Sequence, residues 1–148
     1  MYTRILIATD GSELAEKGLL KGLELASGLG AAVDIVTVSE PWAAGMYDAM
    51  GWSVGYMHSP EYKADREEGA KKILEPAVAT ATELGLKATP VHVLDRYAAD
   101  GIIDTAKERN SDLIVMTSHG RRGVTRVLLG SQTAEVLARS DVPVLVIR

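Results

Sequence analysis

Residues 113–134, LIVMTSHGRRGVTRVLLGSQTA, are the most informative stretch of this chain. The run Leu113–Met116 predicts a buried strand, and Gly130-Ser131 predicts the start of a helix. The stretch contains three arginines and no acidic residue, although the formal net charge of the chain is -4. Glycines at a helix start let backbone N–H groups converge on an anion, and arginines add charged donors. The pattern predicts a phosphate site and hence a nucleotide-binding protein; the alternative is a surface loop with solvated arginines.

The composition favours one globular domain over residues 1–148. Hydrophobic residues make up 47% and charged residues 24% of the chain, which is long enough to bury a real core. The net negative charge argues against nucleic acid as the main partner, because binding to a phosphate backbone usually requires a basic surface. The absence of cysteine excludes disulfides, thiolate metal sites and thiol catalysis. No signal peptide or long apolar span is visible, so we expect a cytoplasmic protein without a membrane partner.

The spacing of apolar residues predicts strands and helices in alternation. The predicted strands are residues 5–8, 32–38, 91–94, 113–117 and 142–147, and the predicted helices are residues 13–27, 61–84, 98–109 and 131–139. Gly28 and Gly30 are expected to end the first helix, Pro76 to kink or interrupt the second, and Gly85 to cap it. Strands that are apolar on both faces predict an α/β fold, a single open five-stranded parallel sheet with helices on both faces.

The ligands of such sheets bind beyond the carboxyl ends of the strands, where the strand order reverses. This rule places Asp10, the end of the second strand near Val38, and the loop from Ser118 to Ser131 on one rim. Asp10 can accept hydrogen bonds from a ribose hydroxyl or cap the helix that follows, and the two roles are compatible. His119 is expected to form hydrogen bonds within the phosphate loop.

Two other segments indicate contact surfaces. Residues 40–60 are irregular and rich in aromatic residues and methionine, which favours a loop over the ligand rim or at a dimer edge; simple loop packing is the alternative. The last strand, Val142–Ile147, would offer unpaired backbone groups to a second copy at a sheet edge, but none as a central strand. The three histidines fit no metal motif, and His92 is expected to be a strand residue whose ring has a hydrogen-bond partner.

Taken together, several motifs resemble the universal stress protein family, and the resemblance covers essentially the whole chain. It rests on Ala8-Thr9-Asp10-Gly11-Ser12, on Ser118-His119-Gly120, on Gly130-Ser131 nine residues further on, and on Val142–Val146. The resemblance implies a five-stranded, Rossmann-like domain of the adenine nucleotide alpha hydrolase-like type, usually dimeric through its last strand. The family contains nucleotide-binding and non-binding classes.

The nucleotide-binding class carries G-x-x-G, nine residues, and then G-[S/T]. Gly120 and Gly130 match its second and third glycines, whereas Thr117 stands at the first, where a side chain could crowd the ligand or add a hydroxyl donor. Asp10 matches the family's acidic residue after the first strand, and Val38 matches its adenine-contacting valine. The site predicted from these motifs and the rim comprises Ala8, Asp10, Val38, Met116, Ser118, His119, Gly120, Arg121, Arg122, Gly130, Ser131, Gln132 and Thr133.

The resemblance implies a cytoplasmic, nucleotide-dependent regulator of a stress response that binds ATP or AMP, with Mg²⁺ accompanying ATP. Backbone amides around Gly120 and Gly130, with the hydroxyls of Ser131 and Thr133, are expected to hold the phosphates, assisted by Arg121 or Arg122. Asp10 is expected to hold the ribose, and Val38 and Met116 to flank the adenine. One alternative is a weak ATPase, for which no credible base is visible. The other is a non-binding dimeric interaction module, which Thr117 favours.

Overall fold

Strands and helices alternate along the described part of the chain, which comprises residues 1–41, 56, 58–119 and 129–148 of a computed structural model. The elements are β1 (Arg4–Ala8), α1 (Glu13–Leu29), β2 (Ala32–Ser39), α2 (Pro60–Glu83), β3 (Ala88–Leu94), α3 (Ala98–Glu108), β4 (Leu113–Thr117), α4 (Ser131–Arg139) and β5 (Val144–Ile147).

The five strands form one parallel sheet in the order β3-β2-β1-β4-β5. β1 lies between β2 and β4, so the strand order reverses beside it; its residue Ile7 pairs with Ile35 on one side and with Val115 on the other. Within the described residues, β3 and β5 form the two edges of the sheet. This topology confirms the predicted α/β fold.

Side chains alternate between the two faces of the sheet and build a core on each face. Ile5 and Ile7 of β1 pack with residues of α1 and α2, whereas Leu6 between them packs with residues of α3 and α4. All three side chains are fully buried. Because burying one such side chain stabilises the fold by roughly 1.5–3 kcal/mol, both helical layers are held firmly to the sheet.

Helix α1 begins and ends at residues that satisfy its terminal backbone groups. The side chain of Ser12 accepts a hydrogen bond from the amide of Ala15 at 3.2 Å, so Ser12 is the N-cap and Asp10 is not. Gly30 closes the helix with a φ of 65°, and its amide donates to carbonyl groups of the last turn. Gly28 therefore lies inside the helix, which is longer than the predicted 13–27.

Helix α2 runs through Pro76 without interruption, so of the two predicted effects of this proline, a kink or an interruption, the interruption is wrong. Pro76 and Lys72, whose carbonyl loses its intrahelical donor, both lie on the exposed side, where water can satisfy that carbonyl. The opposite face, with Leu74 and Ala77, is buried and holds the helix against the sheet. Gly85, with a φ of 74°, follows the helix, which confirms its predicted role in ending it.

The edge strands differ from prediction at their starts. β3 begins at Ala88 instead of 91, because an edge strand tolerates a proline such as Pro90. β5 begins at Val144 instead of Val142, because the hydroxyl of Ser140 donates to the Val142 carbonyl at 2.8 Å and accepts from its amide at 3.0 Å. That turn occupies the backbone groups of Val142 before the strand pairing starts.

Two carboxylates fasten the amino-terminal ends of the central strands. Asp34 is fully buried, and its oxygens lie 3.0 Å from a guanidinium nitrogen of Arg4 and 2.6 Å from one of Arg109. Asp112 accepts hydrogen bonds from the amides of Thr3 and Arg4 and from the Thr3 hydroxyl, at 2.8–3.0 Å. These contacts fix the end of the sheet opposite to the predicted ligand rim.

Candidate functional site

The carboxyl ends of β1, β2 and β4 meet at the point where the strand order reverses. The amide of Thr9, just beyond β1, donates to the carbonyl of Val36 at 2.9 Å, so this segment continues alongside β2. On the other side, the amide of Ser118 donates to the carbonyl of Ile147 and extends β4 alongside β5. The residues that follow β1 and β4 therefore reach the rim together with the end of β2.

Three predicted site residues share one face of the sheet. Met116 belongs to the core beneath α3 and α4, and Ala8 and Val38 pack against that core. Met116 is 7% exposed, and Val38 is half-buried against α3, where a Cβ on Gly101 would lie 2.8 Å from a Val38 methyl group. These three residues make this face of the sheet apolar where it reaches the rim.

Asp10 organises the turn between β1 and α1. Its Oδ1 accepts a hydrogen bond from the amide of Ser12 at 2.9 Å, an arrangement in which an aspartate stabilises its own turn. Ser12 therefore has the predicted helix-capping role, and Asp10 lies two residues earlier, at the rim.

The start of α4 is tied to the end of β4 by two hydrogen bonds. The amide of Gly130 donates to the carbonyl of Ser118 at 2.8 Å, and the buried hydroxyl of Thr133 donates to the carbonyl of Thr117 at 2.9 Å. Gly130 suits this close approach, because a Cβ there would lie 3.1 Å from the Ser118 oxygen, a tight contact that would need a small local shift. The amides of residues 131–133 have no intrahelical partner, and no side chain at the N-cap position accepts from them.

His119 stands beside this helix start. Its Nδ1 lies 2.9 Å from the hydroxyl of Ser118, and a Cβ on Gly130 would lie 3.6 Å from its Cα. Its Nε2 is buried and has no hydrogen-bond partner among the described residues. Buried polar atoms are nearly always paired, and a helix start favours negative charge, so His119 and the first turn of α4, which meet at Gly130, mark a candidate anion site.

The comparison with known proteins agrees with this geometry. The Universal stress protein family matches residues 1–148. The universal stress protein YxiE of Bacillus subtilis is 31% identical over 154 residues, and the match covers 100% of each chain. The chain belongs to the universal stress protein family.

Solved structures of the family share the fold. That of MJ0577 from Methanocaldococcus jannaschii has a TM-score of 0.80 and 28% identity, over 99% of this chain and 96% of that one. A universal stress protein in complex with cAMP has a TM-score of 0.75 and 23% identity, over 99% and 97% of the two chains. One from Archaeoglobus fulgidus in complex with dAMP has a TM-score of 0.71 and 22% identity, over 99% and 98%.

Gln132, a predicted site residue, forms a hydrogen bond with α3. Its Oε1 accepts a hydrogen bond from the amide of Ala99 at 2.8 Å, where the N-cap residue Tyr97 supplies no side-chain bond of its own. Arg139 of α4 also pairs with Asp100 of α3 at 2.7 Å. Gln132 therefore caps α3 from the neighbouring helix and, with Arg139, joins α3 to α4.

The remaining predicted residues divide between exposed and undescribed positions. Ser131 is exposed at the start of α4. Gly120, Arg121 and Arg122, like most of the 40–60 segment, lie outside the described residues. Residues 1–41, 56, 58–119 and 129–148 include no group of three His, Asp or Glu side chains that could hold a metal ion, and no helix long and apolar enough to cross a membrane.

A polar cluster at the end of β3 went unnoticed in the sequence. Tyr62 of α2 is 2% exposed and donates its hydroxyl proton to Asp95 at 2.5 Å, and the guanidinium of Arg66 lies over the Tyr62 ring. Nearby, Nε2 of His92 lies 2.8 Å from the hydroxyl of Ser39, which confirms the partner expected for this ring. Burial lowers the pKa of His92. These contacts join residues that are far apart in the chain, so no local sequence pattern predicts them.

Proposed function

We propose that this member of the family binds one adenine nucleotide at the rim formed by β1, β2, β4 and the start of α4, and that nucleotide occupancy regulates a stress response. The observation that carries the proposal is the candidate anion site at the start of α4, where Gly130 adjoins His119, whose Nε2 has no hydrogen-bond partner among the described residues. Relatives with the same fold, in complex with cAMP and dAMP, support an adenine nucleotide as the ligand.

Each part of the rim suits one part of a nucleotide. The first-turn amides of α4, the Ser131 hydroxyl and Nε2 of His119 would hold the phosphates, because a helix start favours negative charge. The carboxylate of Asp10 would accept hydrogen bonds from the ribose. Val38 and Met116 would flank the adenine. The Gly130 amide and the Thr133 hydroxyl already donate within the protein, so they shape the phosphate site instead of contacting the phosphates.

The ligand we propose is ATP or AMP, with Mg²⁺ bound to the phosphates of ATP. The protein would act in the cytoplasm, where cellular ATP and AMP are available. Isothermal titration with ATP, with and without Mg²⁺, and with AMP tests the binding. The purified protein is first checked for nucleotide carried through purification. We expect saturable binding of about one nucleotide per chain, in the micromolar range typical of a regulatory site. Folded, empty protein that binds neither nucleotide would refute the proposal.

A charge placed at the helix start tests the location of the site. Gly130→Asp brings a carboxylate to the predicted phosphate position and should abolish nucleotide binding while the protein stays folded. Gly69→Asp introduces the same charge on α2, where a Cβ would meet no atom within 4 Å, and should leave binding unchanged. Undiminished affinity in the Gly130 variant, with folding verified by circular dichroism, would place the phosphates elsewhere.

The edge strand β5 supports a second part of the proposal, a homodimer. Within the described residues β5 pairs only with β4, and Leu145 on it is 38% exposed. A free, apolar edge strand favours pairing with another copy. Analytical ultracentrifugation should show a dimer that Leu145→Lys converts to a monomer. Leu84→Lys, at a similarly exposed leucine after α2, should leave the dimer intact.

A further inference from the structure

Thr117 stands where the family motif has its first glycine, yet its side chain lies on the far side of the sheet from the predicted adenine site. A Cβ on Gly18 would lie 2.5 Å from the Thr117 methyl group, so that methyl fills the space left by Gly18 on α1. Met116, the preceding residue, belongs to the core on the opposite face. The threonine methyl therefore occupies a notch in α1 and does not enter the rim.

The hydroxyl of Thr117 fixes the turn that leads to the anion site. Its Oγ1 donates to the carbonyl of His119 at 2.9 Å. The carbonyls of Thr117 and Ser118 accept from Thr133 and Gly130 of the α4 start. The three consecutive carbonyls of residues 117–119, at the end of β4, thus accept hydrogen bonds, two from the start of α4 and one from the threonine itself.

We infer that Thr117 is a positioning residue, which holds the Ser118-His119 turn so that the first turn of α4 and Nε2 of His119 face a bound phosphate. Gly18 makes this possible because it leaves room for the threonine methyl. A glycine at 117 would supply neither the hydroxyl nor the methyl. The inference rests on the proposed nucleotide function. It means that Thr117, although it departs from the family motif, supports the same nucleotide site.

Two variants separate the hydroxyl from the methyl. Thr117→Val keeps the methyl contact with Gly18 but leaves the His119 carbonyl without its donor. We expect the Kd for AMP to rise roughly five-fold, the equivalent of one hydrogen bond. Thr117→Ser keeps the hydroxyl and loses the methyl. It should lower the melting temperature and leave the Kd for AMP unchanged.

Amide hydrogen exchange of Gly130, measured by NMR in nucleotide-free protein, reports the position of the helix start without any ligand. Exchange should be faster in the Val variant by roughly five-fold, and unchanged in the Ser variant. If wild-type protein binds no nucleotide, the proposed function fails, while this exchange comparison still decides whether Thr117 holds the turn.

Thr117→Gly provides the opposite test, because it restores the residue of the family motif. We expect weaker AMP binding and faster exchange of the Gly130 amide. Tighter AMP binding in this variant would show that the threonine obstructs the ligand and would overturn the inference. Wild-type exchange of Gly130 in the Val variant would overturn it as well, since the hydroxyl would then have no part in fixing the helix start.

Discussion

Replacing Gly18 with alanine should destabilise the protein, although alanine is the better helix former. The new Cβ would lie 2.5 Å from the methyl of Thr117, a separation that requires one of the two to move. Rotating the threonine about χ1 would relieve the contact but break the hydrogen bond from its hydroxyl to the His119 carbonyl. Moving α1 away from the sheet would also be unfavourable, because Leu19 and Leu23 of the same helix are buried in the core.

The expected magnitude is the difference between two opposing terms. Overpacking a filled core site costs about 1–3 kcal/mol, and the lack of a free escape for Thr117 favours the upper half of that range. Exchanging glycine for alanine inside a helix returns about 1 kcal/mol. Gly18→Ala should therefore lower the free energy of unfolding by about 1–2 kcal/mol.

Urea denaturation, monitored by circular dichroism at one fixed protein concentration, measures the effect. Gly69→Ala is the matched control, because it lies inside α2 with no atom within 4 Å of its Cβ and should stabilise by up to about 1 kcal/mol. In a Thr117→Ser background the obstructing methyl is absent, so Gly18→Ala should be neutral or stabilising. Equal effects of Gly18→Ala in the threonine and serine backgrounds would refute the reasoning, since the two residues would then not be in contact.

Three further predictions concern residues outside the rim. Asp34→Asn should lower the free energy of unfolding by about 3 kcal/mol in urea titration, because it removes a fully buried carboxylate that pairs with two arginines; a loss below 1 kcal/mol would contradict this. Burial opposes ionisation of Asp112, but its hydrogen bonds with Thr3 and Arg4 outweigh burial and hold its pKa below the ordinary value for an aspartate. Ionised Asp112 therefore stabilises the fold at pH values above its unfolded pKa. The difference in free energy of unfolding between the wild type and Asp112→Asn should shrink as the pH falls through the folded pKa of Asp112. A difference that does not change with pH would contradict this prediction. Gln132→Leu should cost about 1 kcal/mol through the lost cap on Ala99 and leave AMP affinity unchanged, whereas a large loss of affinity would return Gln132 to the phosphate site.

The sheet and its helices were predictable because their signals are local. Apolar runs such as Leu113–Met116 mark strands buried on both faces, and helical periodicity marks the segments between them. The wrong predictions concern prolines whose usual disruptive effect is removed by contact with solvent or by a position in an edge strand. Pro76 faces water, so the helix continues through it, and Pro90 lies in an edge strand, where pairing tolerates it.

The candidate site was predictable in its position but not in its individual contacts. The end of β1 and the start of α4 reach one rim because parallel strands end at the same edge of a sheet. The sequence does not show which of two neighbouring residues caps α1. Asp10 and Ser12 can both cap a helix, and only the structure shows that Ser12 does so. Gln132 meets Ala99 across 33 positions of sequence, and nothing local specifies that contact.

Thr117 shows how a departure from a motif should be weighed. A strand alternates its side chains, so the sequence already sets Thr117 on the face of Val115 and opposite Met116, whose face carries the predicted adenine contacts. A side chain at this position therefore does not have to crowd the ligand. The sequence does not show which residue the Thr117 side chain contacts. Gly18 lies 99 positions earlier, in a helix with several glycines that the sequence does not distinguish. Only the packing of α1 on β4 shows that glycine and threonine form a matched pair, so the two positions have to be read together.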